Sequence, residues 1–306
     1  MMIHITDDTV ASDTISVETL DIYKVYSVKN VKSYAHSNYT TWDIECNTPG
    51  SVSTGVERFY FVIDTHGHDA FGHWVYESAI YLPLFNILRA RHPTIKLLLT
   101  EPKTYKRIFC KYMGISDDDI VYHNDLVYSI TTTTDASVYY FPSPISALIQ
   151  ADITEEYMCH VDKFWTFFRK ERTGHSPLVV LPRQQRENYA GNDRIVPFAD
   201  IIQYANTVHN SRIVHTDTIE DLSVQIQAII DADVVVVTDG SPFIVNGMFS
   251  YDKDIVISGQ SCTIGQGYRF KKMAYIINKI RGQNKSVSYI MGQADTCNRV
   301  RQLMTH

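Results

Sequence analysis

The sequence is poor in the features that mark secreted, zinc-clustered and membrane-embedded proteins. Its five cysteines are odd in number, scattered and never arranged as CxxC pairs, which argues against a disulfide framework and a thiolate zinc site. No apolar run approaches the length of a membrane span, and the first 12 residues lack the basic start and apolar block of a signal peptide. From these absences we expect a soluble, cytoplasmic protein with no membrane span.

Positive charge is also in short supply. Lysine and arginine total 28 against 34 aspartate and glutamate residues, which gives a net charge of -6. A protein that binds nucleic acid usually presents a basic face, so we expect no nucleic-acid partner. A basic cluster does occur at Lys103, Lys106, Arg107 and Lys111, but its helical spacing predicts one solvated helix face.

What the sequence does contain is an alternation of strand and helix patterns that occurs twice. A chain of 306 residues is long enough for two domains, and the polar segment 173–177, which carries glycine and proline, marks their boundary. We therefore predict an N-terminal α/β domain over 1–172, with a β-rich lead-in, and a C-terminal α/β domain over 173–306. The last predicted helix, 294–304, is expected to pack back on the N-terminal domain. The predicted strands are 59–63, 95–99, 120–122, 127–130, 138–141, 178–181, 212–215, 234–238 and 255–258, and the other predicted helices are 71–91, 103–113, 154–172, 198–208, 219–230, 242–249 and 268–280.

The densest group of titratable residues follows the first of these strands. Residues 64–77 contain three histidines, two aspartates and a glutamate at a strand-to-helix junction, and open α/β sheets bind ligands at the carboxyl ends of their strands. His73 and Glu77 are four residues apart and so share one helix face. The helix dipole disfavours the cationic form of a histidine in the first turn. His73 is therefore a candidate general base, and Asp69 either orients it or acts as the base itself.

A zinc hydrolase is the alternative interpretation of the same stretch. Residues 66–69, HGHD, resemble the HxHxDH motif of metallo-β-lactamase-like hydrolases, but the next two positions hold alanine and phenylalanine where that motif needs aspartate and histidine. A zinc-dependent hydrolase that uses His66, His68 and His73 stays open, as does a non-catalytic carbohydrate- or nucleotide-binding module. The simplest alternative is a helix cap and a structural histidine.

Two segments of the second domain are suited to bind a phosphate. Arg183 and Arg186 follow strand 178–181, and a planar guanidinium can grip a diphosphate through two hydrogen bonds. Residues 239–243 follow strand 234–238 and begin a helix whose backbone N–H groups, with Ser241, form an anion site. The alternatives are a surface arginine paired with an acidic neighbour and an ordinary helix cap without a ligand.

Three blocks of the sequence together resemble glycosyltransferase family 61. The similar blocks are GHWVYE at 72–77 with Leu-Pro-Leu at 82–84, Pro182-Arg183 with Asn192-Asp193, and the stretch from ADVVVV at 232–237 through Gly240-Ser241 to Asn246 and Phe249. The resemblance spans about residues 59 to 260. It departs from the family pattern at Asp239, where many members carry histidine, and at Ala70, where asparagine is expected.

The resemblance implies a GT-B-like α/β architecture, in which two Rossmann-like domains face each other across a cleft and the C-terminal one holds most of the nucleotide sugar. It also implies an inverting glycosyltransferase that moves a sugar from a UDP-linked donor, UDP-xylose as the first choice, to a hydroxyl of a glycan acceptor. No cofactor is required, although a divalent metal is compatible, and no residue is assigned as a metal ligand. The catalytic candidates are Asp69, His73, His66 and Glu77. The donor-binding candidates are Arg183, Arg186, Asp239, Gly240, Ser241, Pro242, Phe243 and Asn246.

Overall fold

The chain forms two compact units, Met1–Phe167 and Phe168–His306. The computed structural model describes residues 1–6, 8–37, 41–47, 58–64, 71–123, 128–129, 137–143, 153–168, 171–182, 198–215, 222–238, 252–259 and 264–305. The division between the units lies near the boundary predicted after residue 172. Both units combine helices with parallel strands, so the predicted α/β class is confirmed.

The first unit contains two β-sheets. An antiparallel sheet has the order β1 (Met2–Ile5), β5 (Thr41–Cys46), β4 (Val31–Ser37) and β9 (Tyr128–Ser129), and a mixed sheet has the order β2 (Ile15–Leu20), β3 (Tyr23–Lys29), β10 (Ser137–Pro142), β6 (Arg58–Val62), β7 (Lys96–Thr100) and β8 (Ile120–His123). In the mixed sheet, β10, β6, β7 and β8 run parallel. Strands β2 and β3 extend it antiparallel beyond β10. The β-rich lead-in is therefore an integral part of this unit.

The helices of the first unit follow the predicted pattern with one interruption. They are α1 (Phe71–Glu77), α2 (Leu82–Arg91), α3 (Thr104–Tyr112) and α4 (Glu155–Thr166), with short 3₁₀ helices at Ala79–Tyr81 and Asp117–Asp119. The single helix predicted over 71–91 is thus split between α1 and α2. Pro83 lies in the first turn of α2, and proline has no N–H to donate to the carbonyl four residues earlier. The chain therefore restarts a helix at this point.

Both faces of the mixed sheet are covered. On one face, Tyr26 and Phe141 pack in an apolar cluster with Trp42 and Ile44 of the antiparallel sheet. On the other face, the ring of Phe61 stacks on Phe85 of α2, with the ring centroids 6.3 Å apart. Strands that are buried on both sides have continuous apolar sequences rather than alternating ones, which explains the apolar runs of β6 and β7.

The second unit is built on one parallel sheet. Its order is β12 (Arg212–Ile213), β11 (Ser176–Leu181), β13 (Ala232–Thr238), β14 (Asp254–Gly259) and β15 (Val287–Met291). The described helices are α5 (Ala199–Ala205), α6 (Leu222–Ile230), α7 (Ile264–Arg281) and α8 (Gln293–Met304). The sequence did not lead us to expect β15, which is a half-buried edge strand and lacks the continuous apolar run of the central strands. The predicted helix 242–249 lies outside the described residues.

The last helix, α8, packs on the sheet of its own unit. Cys297 and Val300 are buried in an apolar cluster with Val180, Val236 and Val256. This packing belongs to the second unit alone, and the expected packing of the same helix on the N-terminal domain stays a prediction. The apolar side of α8 is used to cover one face of the parallel sheet, a face that would otherwise expose valine side chains to water.

A buried ion pair lies at the carboxyl end of β6. It shows that the prediction of a solvated face on α3 is wrong at Lys106. The side chain of Lys106 is 0% exposed, and its Nζ donates to Asp64 Oδ2 at 2.8 Å and to the Thr100 carbonyl at 2.7 Å. Asp64, which follows β6, also accepts from the backbone N–H and the hydroxyl of Thr100 and from Trp74 Nε1 at 2.8 Å. Lys106 therefore faces the sheet, whereas Lys111 of the same helix is exposed. Helical spacing alone did not distinguish the buried Lys106 from the exposed Lys111, because the carboxylate that pairs with Lys106 lies about 40 residues earlier in the chain.

This ion pair generates a stability prediction. Lys106→Met should lower the free energy of unfolding by about 3–5 kcal/mol, because Asp64 would remain as an uncompensated buried carboxylate. Urea denaturation at neutral pH measures this change. The matched control is Lys111→Met on the same helix, which should change the free energy by no more than about 0.5 kcal/mol. Equal, small effects of the two substitutions would show that the buried pair does not hold this edge together.

Candidate functional site

The carboxyl edge of the parallel strands is the candidate ligand-binding edge of the first unit. Strand β6 is followed in sequence by β7 on one side, whereas β10 lies on its other side and comes later in the chain. The strand order therefore reverses between β6 and β10, and open α/β sheets bind ligands at such a switch point. The histidine-rich stretch directly follows β6, and its second part forms α1.

The described centre of this stretch is a hydrogen-bonded pair, His73 and Glu77. His73 Nδ1–H donates to Glu77 Oε1 at 3.0 Å, as the i, i+4 spacing predicts. The side chain of His73 is 38% exposed, whereas that of Glu77 is 5% exposed. This tautomer leaves the lone pair of a neutral imidazole on Nε2, where a hydroxyl proton could be accepted. The pair thus combines a buried carboxylate with a histidine that solvent can reach.

The pKa of His73 is shifted in the direction opposite to the one expected from the helix dipole. The hydrogen bond to the Glu77 carboxylate raises the pKa of His73 above its ordinary value, and partial burial opposes this only in part. The expectation that the cationic form of His73 is disfavoured is therefore wrong. A carboxylate at hydrogen-bond distance interacts more strongly than the partial charge at the end of a seven-residue helix. A raised pKa makes neutral His73 a stronger proton acceptor.

The orientation of α1 is fixed by the neighbouring Trp74. Its indole N–H donates to Asp64, and its ring contacts Tyr105 and Phe109 of α3, with centroids 5.6 and 5.9 Å away. The ion pair of Asp64 with Lys106 holds that acceptor in place. Because Trp74 is fully buried, the helix cannot rotate without breaking these contacts, and His73 is kept on the more exposed side.

A second candidate edge occurs in the second unit. Strands β11 and β13 pair in parallel with Leu181 opposite Val237, so the two strands end side by side. The strand order β12-β11-β13 places the first strand between the second and the third, so the switch point lies between β11 and β13. Thr238, the last residue of β13, is fully buried, and its hydroxyl has no hydrogen-bond partner within the described ranges.

The structure describes only part of the predicted site. His73 and Glu77 are among the described residues, and a hydrogen bond joins them. The remaining catalytic candidates, His66 and Asp69, and the alternative zinc ligand His68 lie outside the described residues. The same holds for the donor-binding candidates, namely Arg183, Arg186, Asp239, Gly240, Ser241, Pro242, Phe243 and Asn246. Their roles stay predictions.

Sequence reasoning missed three residues at these edges. Asp64 was counted in the titratable stretch 64–77 without a role of its own, Lys106 was placed on a solvated helix face, and Thr238 was assigned no role. A signal was visible for two of them, because Asp64 and Thr238 are polar residues at the end of apolar strands. Lys106 gave no such signal, since only the pairing of β6 with β7 brings its helix next to Asp64.

Metal-binding groups and membrane-spanning helices are absent from the described part of the chain. There, no group of three or more His, Cys, Asp and Glu side chains is arranged to hold a metal ion. The proposed zinc ligands His66 and His68 lie outside that part, so the zinc alternative stays a prediction. Among the described helices, none combines the length and the apolar character needed to cross a bilayer.

The His73–Glu77 pair predicts a measurable titration. We expect His73 to titrate above the ordinary histidine pKa of about 6.5, and Glu77→Gln to lower that pKa, because the neutral amide no longer stabilises the imidazolium. Nuclear magnetic resonance of the ring protons measures both values, and His73→Ala identifies the resonance. Because the folded-state pKa is raised, the pair adds stability below about pH 6.5, and this contribution is lost as the pH rises through the raised pKa. A His73 pKa that is not raised and does not respond to Glu77→Gln would contradict the described hydrogen bond.

Comparison with known proteins adds no family assignment. No family model and no curated protein matches this sequence. The resemblance to glycosyltransferase family 61 therefore depends on its three motif blocks alone. Of these, the structure describes the GHWVYE helix and the strand of the third block.

Proposed function

We propose that the protein is an inverting glycosyltransferase that moves a sugar from a nucleotide-sugar donor to a hydroxyl of a glycan acceptor. The observation that carries the proposal is the His73–Glu77 pair within GHWVYE, a hydrogen-bonded histidine with a raised pKa that follows the parallel strand β6 of the mixed sheet. We take the donor to be UDP-linked and name UDP-xylose as the first one to test. Both choices rest on the family resemblance.

The proposed reaction begins with proton transfer to His73. Neutral His73 accepts the proton of the acceptor hydroxyl at Nε2, and the hydroxyl oxygen forms a bond to the anomeric carbon of the donor sugar. The bond from that carbon to the diphosphate breaks on the opposite face, which inverts the configuration. Glu77 stabilises the resulting imidazolium through the bond to Nδ1–H, as a carboxylate does in other histidine-based catalytic groups. Asp69 is the competing candidate for the base.

The departing diphosphate needs positive charge and hydrogen-bond donors. Arg183 directly follows Pro182 at the end of β11, and residues 239–241 directly follow β13. These strands are adjacent and parallel, so the two segments start on either side of the switch point of the second sheet. We propose that Arg183 and the backbone N–H groups near Ser241 stabilise the leaving charge, without a required cofactor.

The two units receive different roles in this proposal. The first unit would be the acceptor-side domain and the second the donor-side domain of a GT-B-like enzyme. Two features support this division: the histidine–carboxylate pair belongs to the first unit, and the second has a doubly wound strand order with a buried hydroxyl, that of Thr238, at its switch point.

Turnover of a nucleotide sugar tests the proposal directly. The intact protein is incubated with a panel of UDP- and GDP-sugars and a mixture of glycan acceptors, and released nucleotide is measured. We expect release with a UDP-sugar that depends on the acceptor. Neither turnover nor binding of any donor would refute the proposal. About one tightly bound zinc per chain in purified protein would instead favour the hydrolase, and binding without turnover would favour the non-catalytic module.

Substitutions distinguish the proposed proton acceptor, His73, from the proposed donor-binding residue, Arg183. His73→Ala should lower kcat by about 10²- to 10⁴-fold, because a general base contributes on that order, and should leave donor binding unchanged. Arg183→Ala should mainly weaken donor binding. His209→Ala, at an exposed position of the second unit, is the matched control and should change neither.

The pH profile distinguishes His73 from Asp69 as the base. Activity should rise with pH through the His73 pKa, because only neutral imidazole accepts a proton, and Glu77→Gln should move this inflection to lower pH. An activity that survives His73→Ala and is abolished by Asp69→Asn would assign the base to Asp69 instead.

A further inference from the structure

A groove of about 530 Å³ lies between α7 and the chain that leads into β15. Its volume falls within the range of about 300–1,000 Å³ that is usual for small-ligand sites. Lys271, Lys279 and Lys285 line it together with Tyr275, and none of its described lining residues is acidic. A local cluster of positive charge on a chain of net charge -6 favours an anionic ligand.

The groove is held in shape by hydrogen bonds between its walls. Gly282 ends α7 with a φ of +63°, a left-handed conformation that glycine adopts without strain. The next residue, Gln283, donates its backbone N–H to the Asn278 carbonyl at 2.9 Å, and the Asn278 side chain donates to the Lys285 carbonyl at 3.0 Å. A groove with preformed walls loses less conformational entropy when a ligand binds.

The lining chemistry fits a sugar ring with an acidic substituent. The side chain of Tyr275 is 71% exposed, so its ring offers a flat apolar face of the kind on which sugar rings stack. Asn278, Gln283 and Asn284 also line the groove, and side-chain amides can donate hydrogen bonds to sugar hydroxyl groups and accept hydrogen bonds from them. The side chains of Lys271 and Lys285 would then pair with carboxylate or sulfate groups.

We propose that this groove binds an anionic oligosaccharide. Nucleic acid fits less well, because its specific recognition usually buries at least about 1,000 Å² of protein surface, whereas nine described residues line this groove. A lipid surface fits less well because interfacial binding needs a protruding apolar face, and Tyr275 is the one large exposed apolar side chain among the described lining residues.

The groove is a different site from the proposed donor site. The chain enters β15 from the groove, so the groove lies towards the amino end of that strand. The donor-binding candidates follow the carboxyl ends of β11 and β13, and all strands of this sheet are parallel. The inference therefore does not depend on the proposed function, and binding at the groove can be measured without turnover.

Calorimetric titration of the full chain with an oligogalacturonate hexasaccharide tests the inference. We expect saturable binding that weakens with added salt, and much weaker binding of the neutral maltohexaose. Lys271→Gln should weaken oligogalacturonate binding by about fivefold, the effect of losing one charge pair of about 1 kcal/mol in a solvated site. Tyr275→Ala should also weaken it through lost stacking. Lys111→Gln removes the same charge from an exposed position of the first unit and should have no effect.

Several outcomes would overturn the inference. It fails if no probe binds, if maltohexaose binds as tightly as oligogalacturonate, or if Lys271→Gln and Lys111→Gln have equal effects. Tighter, Lys271-dependent binding of an oligothymidylate or of phosphatidylserine vesicles would reassign the groove to nucleic acid or to lipid. Circular dichroism of each variant confirms folding, since lysine and glutamine have similar helix propensities.

Discussion

The buried ion pair of Lys106 with Asp64 is the interaction on which the first candidate site depends. Asp64 follows β6, and it contacts α3 through Lys106, β7 through Thr100 and α1 through Trp74. One carboxylate therefore joins three of the described elements beside the carboxyl end of β6, namely α1, α3 and β7. A buried charge of this kind persists only when its partners are complete. The Lys106–Asp64 ion pair and the hydrogen bond from Trp74 to Asp64 therefore fix the position of α1, and with it that of His73.

The two units share one principle of construction. Each places parallel strands side by side, buries both faces of the sheet, and reserves the carboxyl edge for polar residues. In the first unit this edge carries a histidine whose pKa is raised by a buried carboxylate. In the second, β13 ends on a buried threonine hydroxyl, and the segments that follow β11 and β13 in the sequence contain the candidate phosphate ligands. In each unit an apolar sheet thus holds polar side chains at the carboxyl ends of its strands, where they do not replace apolar side chains in the core.

The sequence predicted the fold class and most central strands, because strands buried on both faces leave continuous apolar runs. It also predicted the His73–Glu77 contact, which depends on helical spacing alone. It did not predict β15, whose edge position removes that signal, or the packing of α8. The pKa of His73 was predicted in the wrong direction, because the dipole of a short helix was given more weight than a carboxylate at 3.0 Å. The burial of Lys106 depends on strand pairing between distant segments, which local spacing does not reveal.

The central claim is that this chain binds a nucleotide sugar at the switch point of its second sheet. A crystal structure of the protein with UDP tests it most directly. The account predicts that the diphosphate lies beyond the carboxyl ends of β11 and β13, within hydrogen-bond distance of Arg183 and of the backbone N–H groups at residues 240–241. UDP bound at the carboxyl end of β6 or in the lysine-lined groove beside α7, with nothing at the β11–β13 edge, would contradict it.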